Sequence, residues 1–347
     1  MAVAEQLCPQ VAASPRVSTP VKKLVSQPIV SVTRELPGDP RALVDERVTL
    51  RLAGPGDMPR GELLTFIAGS HAVVCMFNQA VDAEFLDAAG PQLRAVCTFA
   101  VGTDNIDLEL CRRRGVMVCN TPDAVTEGTA NMAMALVLTV ARRLVQADAF
   151  VRSGAFSAGG NDFPRGWMGM HLCGQTLHGV GAGRIGKAVA GRARAFGMNV
   201  VYTARSRHLD FEIAPLVARR VTLEEGLAMA DVVSIHTPLT DQTRHLLHAG
   251  NLKLLKPTAI VINTSRGPVI DEAALAAHLK AGRIWGAGLD VFEHEPAVHP
   301  DLLTLDNVVL SPHIGSSERH YRELMTELVC TSASTAALGG EPANRVV

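Results

Sequence analysis

Thr176-Leu177-His178-Gly179-Val180-Gly181-Ala182-Gly183-Arg184-Ile185-Gly186 is the stretch on which the fold turns. It holds a G-x-G-x-x-G, preceded by a short strand candidate and followed by a helix-prone run over residues 187–196. Gly181 permits a tight turn, Gly183 lets backbone amides approach a pyrophosphate, and Gly186 lets helix and strand pack closely. The helix N-terminus then faces the anion. Glycine-rich turns are common, so the motif alone is weak. A second strand candidate at 199–202 arrives after a crossover of the right length, and a dinucleotide-binding βαβ unit is the better reading.

Working outward from this unit, further strands are expected at 232–236 (VVSIH), 259–263 (AIVIN), 285–289 (WGAGL) and 308–310 (VVL). Asp271 caps a helix over 272–280 that ends before Gly282. Upstream, 29–33 (IVSVT), 71–77 (HAVVCMF), 93–99 (LRAVCTF) and 115–119 (GVMVC) read as buried strands. Between two of them, Asp82 is a helix N-cap and Gly90-Pro91 a stop. Strands alternating with helices predict α/β architecture with parallel, doubly wound sheets. Residues 126–151 read as one long apolar helix bridging two domains. Residues 153–173 are irregular and hold Trp167, one of two tryptophans. They form either an arm or active-site wall, or a plain surface excursion.

The composition excludes several classes. Over 347 residues the formal net charge is −1, with no basic surplus for nucleic acid or an anionic membrane. The longest apolar run, 132–141, is far shorter than the roughly 20 residues of a membrane span. The seven cysteines form no C-x-x-C, which argues against zinc or a secreted disulfide framework and for a reducing compartment. A soluble, cytoplasmic protein is expected. Residues 1–27, rich in Ala, Ser, Val and Pro, read as a disordered tail rather than a targeting segment, since only Arg16, Lys22 and Lys23 supply basic charge.

Three polar side chains each sit just past an expected strand: Arg266 in NTSRGPVID, Glu295 in GLDVFEHEP and His313 in SPHIGS. Singly, each has a bland reading as a loop ion pair, a solvent-facing acid or a packing histidine. Together, beside a dinucleotide site, they fit hydride transfer to a 2-keto acid. A guanidinium grips carboxylate and carbonyl oxygens. An imidazolium donates the proton, and a carboxylate orients the imidazole and favours its charged form. Val101 and Gly102, in AVGTDNID after another strand, can offer amides to a small anion, although that tetrad alone reads better as a tight turn.

From about Ile29 onward the chain resembles the D-isomer-specific 2-hydroxyacid dehydrogenases. The likeness is carried by Val101-Gly102-Thr103-Asp104-Asn105, the GAGRIG loop, Asn263-Thr264-Ser265-Arg266-Gly267, Gly288-Leu289-Asp290-Val291-Phe292, Glu295-Pro296 and Pro312-His313-Ile314-Gly315. The resemblance implies a Rossmann cofactor domain (126–314) inserted in a flavodoxin-like substrate domain (28–125 and 315–347). It also implies Arg266 as substrate clamp, Glu295 and His313 as the acid/base pair, the Val101 and Gly102 amides as carboxylate site, and a homodimer. Cofactor contacts are implied at Thr129, Gly181, Gly183, Arg184, Ile185 and Gly186. Others follow at His236, Pro238, Thr264, Asp290 and Gly315, with Asp290 near the nicotinamide carboxamide.

Within the family the chain looks most like the glyoxylate/hydroxypyruvate reductases, through Val32-Thr33-Arg34-Glu35-Leu36-Pro37 and AVGTDN. Phosphite dehydrogenases carry Lys at the Val101 position, formate dehydrogenases pair the histidine with Gln, and many phosphoglycerate dehydrogenases append a regulatory domain. Two departures stand out. His178-Gly179 replaces the usual Gly-aliphatic pair, so restoring the family pattern is expected to stabilise the strand. At the end of the second Rossmann strand Ala204 replaces the expected acid, and Arg205-Ser206-Arg207 follow. NADP(H) is therefore expected over NAD(H). The expected activity is reduction of a short 2-keto acid. The alternatives are a D-2-hydroxyacid dehydrogenase for longer side chains and a dinucleotide-sensing, corepressor-like binding protein.

Overall fold

The computed structural model describes residues 27–159 and 167–347. The tail expected at 1–27 thus lies almost wholly outside the described residues, as does part of the 153–173 segment. Two all-parallel sheets organise the rest. The first has strands β1 (Ile29–Val32), β2 (Thr49–Leu52), β3 (Ala72–Cys75), β4 (Ala95–Thr98) and β5 (Met117–Cys119), in the order β2-β1-β3-β4-β5. That is the flavodoxin-like order. Helices α1 (Arg60–Ile67), α2 (Ala83–Ala89) and α3 (Leu108–Arg114) connect the strands and cover one face with Leu63, Ile67, Phe85 and Cys111. Asp82 caps α2 by accepting from the Phe85 amide, as expected.

Helix α4 (Thr126–Arg142) leaves the first sheet and packs on the second. The expected single helix over 126–151 is two helices: Arg143 is left-handed at φ 53° and α5 (Leu144–Arg152) restarts beyond it, followed by the one-turn α6 (Ala155–Ala158). The reason is burial. Helix α4 buries nine residues and α5 none, so the chain turns away from the core where its apolar face ends.

The second sheet comprises β6 (Thr176–Val180), β7 (Asn199–Thr203), β8 (Arg219–Arg220), β9 (Val232–Ile235), β10 (Ile260–Asn263), β11 (Gly286–Leu289) and β12 (Val308–Leu310), ordered β12-β11-β10-β9-β6-β7-β8. Its order reverses between β6 and β9, which puts the ligand crevice at the ends of those strands. Between the strands run α7 (Arg184–Ala195), α8 (Leu209–Glu212), α9 (Leu223–Met229) and α10 (Glu272–Lys280), the last capped by Asp271 through the Ala274 amide. Helix α11 (Arg319–Ala337) returns to the first sheet, packing Met325, Val329, Cys330 and Ala333 against β1, β3 and β4. None of the described helices is long and apolar enough to cross a membrane.

His178 bears on the gain expected from restoring the family pattern. Its ring is fully buried in β6, and Nε2 lies 2.8 Å from Thr203 Oγ1. The room comes from α9: a methyl group on Gly226 would stand 2.3 Å from His178 Cε1. The ring has space and Nε2 a partner, while buried Nδ1 has none among the described residues, and replacing the histidine with glycine opens a cavity. Burial pushes its pKa down to about 4, and the ring is neutral.

Candidate active site

The carboxyl ends of both sheets face one cleft of ≈ 270 Å³. The first sheet contributes Phe77, Phe99, Val101 and Gly102. The second contributes the glycine loop, His236, Thr264, Arg266, Asp290 and His313.

His313 lies in the loop after β12. Its backbone is left-handed (φ 52°), a conformation a non-glycine residue keeps only when its surroundings impose it. The loop supplies that constraint, because the His313 amide donates to the carbonyls of Asp290 and Ser311. Nδ1 then sits 2.8 Å from Glu295 Oε2, and Phe77 packs on the ring at a centroid distance of 4.6 Å. Glu295 is fixed in turn by the Phe292 amide, which donates to Oε1 at 3.0 Å. Burial raises the Glu295 pKa. The His313 bond and charge, the Phe292 amide and Arg266 outweigh it, leaving the carboxyl below its usual range. The ring's second nitrogen has no partner among the described residues.

Arg266 begins the turn after β10. Its Nε donates to Asp104 at 3.0 and 3.2 Å, and Nη1 donates to its neighbour's Ser265 carbonyl. Nη2 lies over Gly102: a methyl group there would come within 2.1 Å of it. Glycine at 102 is therefore what lets the guanidinium reach the loop. The Val101 and Gly102 amides donate to no acceptor among the described residues, and Asn120 anchors the loop through the Val101 carbonyl at 2.8 Å.

The residues around the glycine loop suit a dinucleotide. Gly181 has φ 110°, and a methyl group on it would stand 2.7 Å from the His236 carbonyl. On Gly186 a methyl would stand 2.3 Å from the Gly181 oxygen, so strand and helix touch there. Nothing lies within 4 Å of the same position on Gly183, where space is left open at the start of α7. Arg184, the first residue of α7, is ion-paired to Asp123, while Ile185 and Thr129 line the cleft. Three buried polar atoms beside this space have no partner among the described residues: His236 Nδ1, Thr237 Oγ1 and Thr264 Oγ1. Such orphans are costly unless a ligand satisfies them. Pro238 continues the same wall. Asp290 is buried at the end of β11 and accepts from Ser311 Oγ and the Ile314 and Gly315 amides. Burial still raises its pKa.

Beyond the end of β7 the chain is open to solvent. Arg205, Ser206 and Arg207 are all exposed. Arg207 donates to Glu212 at 2.5 Å, whereas the Arg205 guanidinium has no partner among the described residues. Three contributors escaped the sequence reading. Asp104 was visible in a motif, but its pairing with Arg266 spans the two sheets. Arg322, on α11, lines the cleft, donates to Ser317 Oγ and stacks over Phe99. Arg220, on the two-residue strand β8, donates to the carbonyls of Ala204 and Arg205.

With this geometry the comparisons with known proteins agree. Residues 134–315 match the model of the D-isomer specific 2-hydroxyacid dehydrogenase NAD binding domain. Glyoxylate reductase from Thermococcus litoralis is 44% identical over 322 residues, covering 92% of this chain and 97% of that one. The enzyme of the same name from Pyrococcus furiosus is 44% identical over 305 residues, 87% of this chain and 90% of its own. Among solved structures, a Thermus thermophilus protein superposes with TM-score 0.85 at 41% identity, over 92% of this chain and all of that one. The NADPH-dependent glyoxylate/hydroxypyruvate reductase of Sinorhizobium meliloti, in complex with NADP and malonate, gives 0.79 at 31%, over 93% and 97%. The chain belongs to the D-isomer specific 2-hydroxyacid dehydrogenases and uses a nicotinamide dinucleotide.

Proposed function

We propose that the chain reduces glyoxylate, and hydroxypyruvate as a second substrate, to the D-2-hydroxy acid, with NADPH preferred over NADH. The single observation that carries this reading is the shared cleft, where an oriented imidazole, a guanidinium and two unpaired amides converge. In it the Val101 and Gly102 amides hold the substrate carboxylate, and Arg266 bridges carboxylate and carbonyl oxygens. His313 Nε2 gives its proton to the carbonyl oxygen, while Glu295 holds Nδ1 and balances the imidazolium charge. The bound dinucleotide supplies the hydride. In oxidation His313 takes the proton back. Phe77 and Phe99 narrow the space beside His313, which favours a small substituent on the keto carbon.

NADPH preference rests on Ala204 standing where a ribose-binding acid would be, with cationic Arg205 and Arg207 beside it. It is in keeping with the NADP bound by the Sinorhizobium meliloti relative. In the same reading 28–125 with 315–347 hold the substrate, and 126–314 hold the dinucleotide. The exposed apolar side chains of Leu144, Val145, Val151, Phe156 and Met168 suit burial against a second copy, and we take the enzyme as a homodimer. Six free cysteines among the described residues, five of them buried, suit a reducing compartment such as the cytoplasm. Steady-state rates over a panel of 2-keto acids, each with NADPH and with NADH, test the proposal. Glyoxylate with NADPH should give the highest kcat/KM. Dinucleotide binding without turnover would make the protein a sensor, and a preference for bulky 2-keto acids would shift the substrate class.

A further inference from the structure

The arginines expected to meet a 2′-phosphate differ once their neighbours are known. Arg207 is already neutralised. Its Nε donates to Glu212 Oε2 at 2.5 Å, and Glu212 Oε1 accepts from the buried Tyr202 hydroxyl at 2.8 Å. The Tyr202 bond and the Arg207 bond hold the Glu212 carboxyl below its usual range, so it stays an anion. Arg207 thus leans away toward α8. Arg220 behaves in the opposite way. From β8 it crosses over the end of β7, where Nη2 donates to the Ala204 carbonyl at 2.8 Å and the Arg205 carbonyl at 3.0 Å. Nε donates to the Ala204 carbonyl at 3.1 Å. No carboxylate pairs with it among the described residues. Its Nη1 makes no hydrogen bond among the described residues, and its charge is pinned to the two residues that follow β7, with Glu212 near enough to feel it.

That position is where a Rossmann fold reads the ribose 2′-substituent. We propose that Arg220 is a specificity-determining residue for the dinucleotide: with Arg205 it forms the cationic pair that takes the 2′-phosphate, while Glu212 holds Arg207 out of that pair. The inference rests on the NADPH reading above and adds which side chains enforce it. Arg220 contributes in two ways. It carries positive charge, and by gripping two successive carbonyls it fixes the backbone that presents Arg205. Arg205 and Arg220 together offer +2, which matches a phosphate dianion.

Calorimetry with adenosine 2′,5′-bisphosphate and with AMP tests this without turnover, since the two differ only in the 2′-phosphate. The wild type should bind the bisphosphate at least tenfold more tightly than AMP. Arg220→Gln should weaken the bisphosphate tenfold or more and AMP less than twofold, with Arg220→Lys intermediate. The KM for NADPH should follow the same order, with that for NADH nearly constant. Circular dichroism melting of each variant checks that the β8 edge has stayed folded. Equal weakening of both ligands would make Arg220 a loop support only, and unchanged binding of both would remove it from the site; either overturns the inference. A wild type that does not distinguish the two ligands would overturn the NADPH reading itself. An Arg205→Ala loss with an unaffected Arg220→Gln would spare that reading and sink only this one.

Discussion

The two ends of the expected dinucleotide path, the cleft around His313 and the separate surface beyond β7, are built on opposite plans. Around His313 the titratable and charged side chains are tied to neighbours: His313 to Glu295, Glu295 to the Phe292 amide, Arg266 to Asp104, and Asp290 to three donors. Around Arg205 the side chains are exposed, and their charge is tuned by Glu212 and by Arg220 on a short edge strand. The first end holds its geometry before any ligand arrives, as a reacting centre requires. In the proposed reading the second selects by net charge and has no reacting atom to align. Damage at the first end should therefore appear in kcat, and damage at the second in KM for one cofactor.

The largest effect is expected at the first end. His313→Gln removes the proton donor and should lower kcat by roughly 10²–10⁴-fold, with KM for the dinucleotide little changed. A loss below tenfold, measured where chemistry limits the rate, would put the proton elsewhere.

Next in size is a stability effect beneath the second end. His178→Gly empties the space beside Gly226 and should cost on the order of 3 kcal/mol at pH 7, read from urea unfolding. The sign of the pH dependence follows from the lowered pKa. An unfolded histidine takes up a proton below about pH 6.5, whereas buried His178 resists until about 4. The wild type therefore loses stability from this residue as pH falls through that window. By pH 5 the gap between wild type and His178→Gly should narrow by about 2 kcal/mol. A gap independent of pH would contradict a neutral, buried ring.

Gly102→Ala sharpens the comparison at the first end. The added methyl overlaps Arg266 Nη2 and pushes the guanidinium off the carboxylate loop, which should cost about 10²-fold in kcat/KM for the keto acid. Thermal stability and NADPH binding should stay near wild type. At the second end, Arg205→Ala should raise the KM for NADPH by roughly 10-fold or more. The loss is one charge-assisted hydrogen bond, about 1.5–3 kcal/mol, and the KM for NADH should hardly move. Equal changes for both cofactors would erase the contrast between the ends.

Much of this was legible in the sequence because the chemistry demands particular residues at strand ends. Gly181 and Gly186 cannot carry side chains, and Arg266, Glu295 and His313 each follow a run of buried β-branched or small residues. Pairing across the fold was not legible. Nothing near Arg266 names Asp104 as its partner, and nothing near His178 points to Gly226, which lies on another element. Strands β2 and β8 escaped notice for a related reason. TLRL and RR are short edge segments with solvent-facing residues, so their pattern lacks the apolar signature of the central strands. The break at Arg143 has no glycine or proline to announce it. Its cause is the loss of a core to pack against.

Glu295 acts through His313 in the proposed mechanism, and a pH–rate profile tests that pairing directly. Reduction needs a protonated His313, so kcat/KM should fall on the alkaline side. Glu295 keeps its charge down through the ordinary carboxylate range, because the bonds from His313 and Phe292 hold its pKa low. Its anion is therefore present throughout the working range. Glu295→Gln preserves size and the Phe292 bond but removes the charge. The alkaline limb for glyoxylate reduction should then move to lower pH. The profile for glycolate oxidation should shift the same way. An alkaline limb that stays in place, with a deuteride isotope effect showing that chemistry limits the rate, would contradict the pairing and leave His313 to position the substrate only.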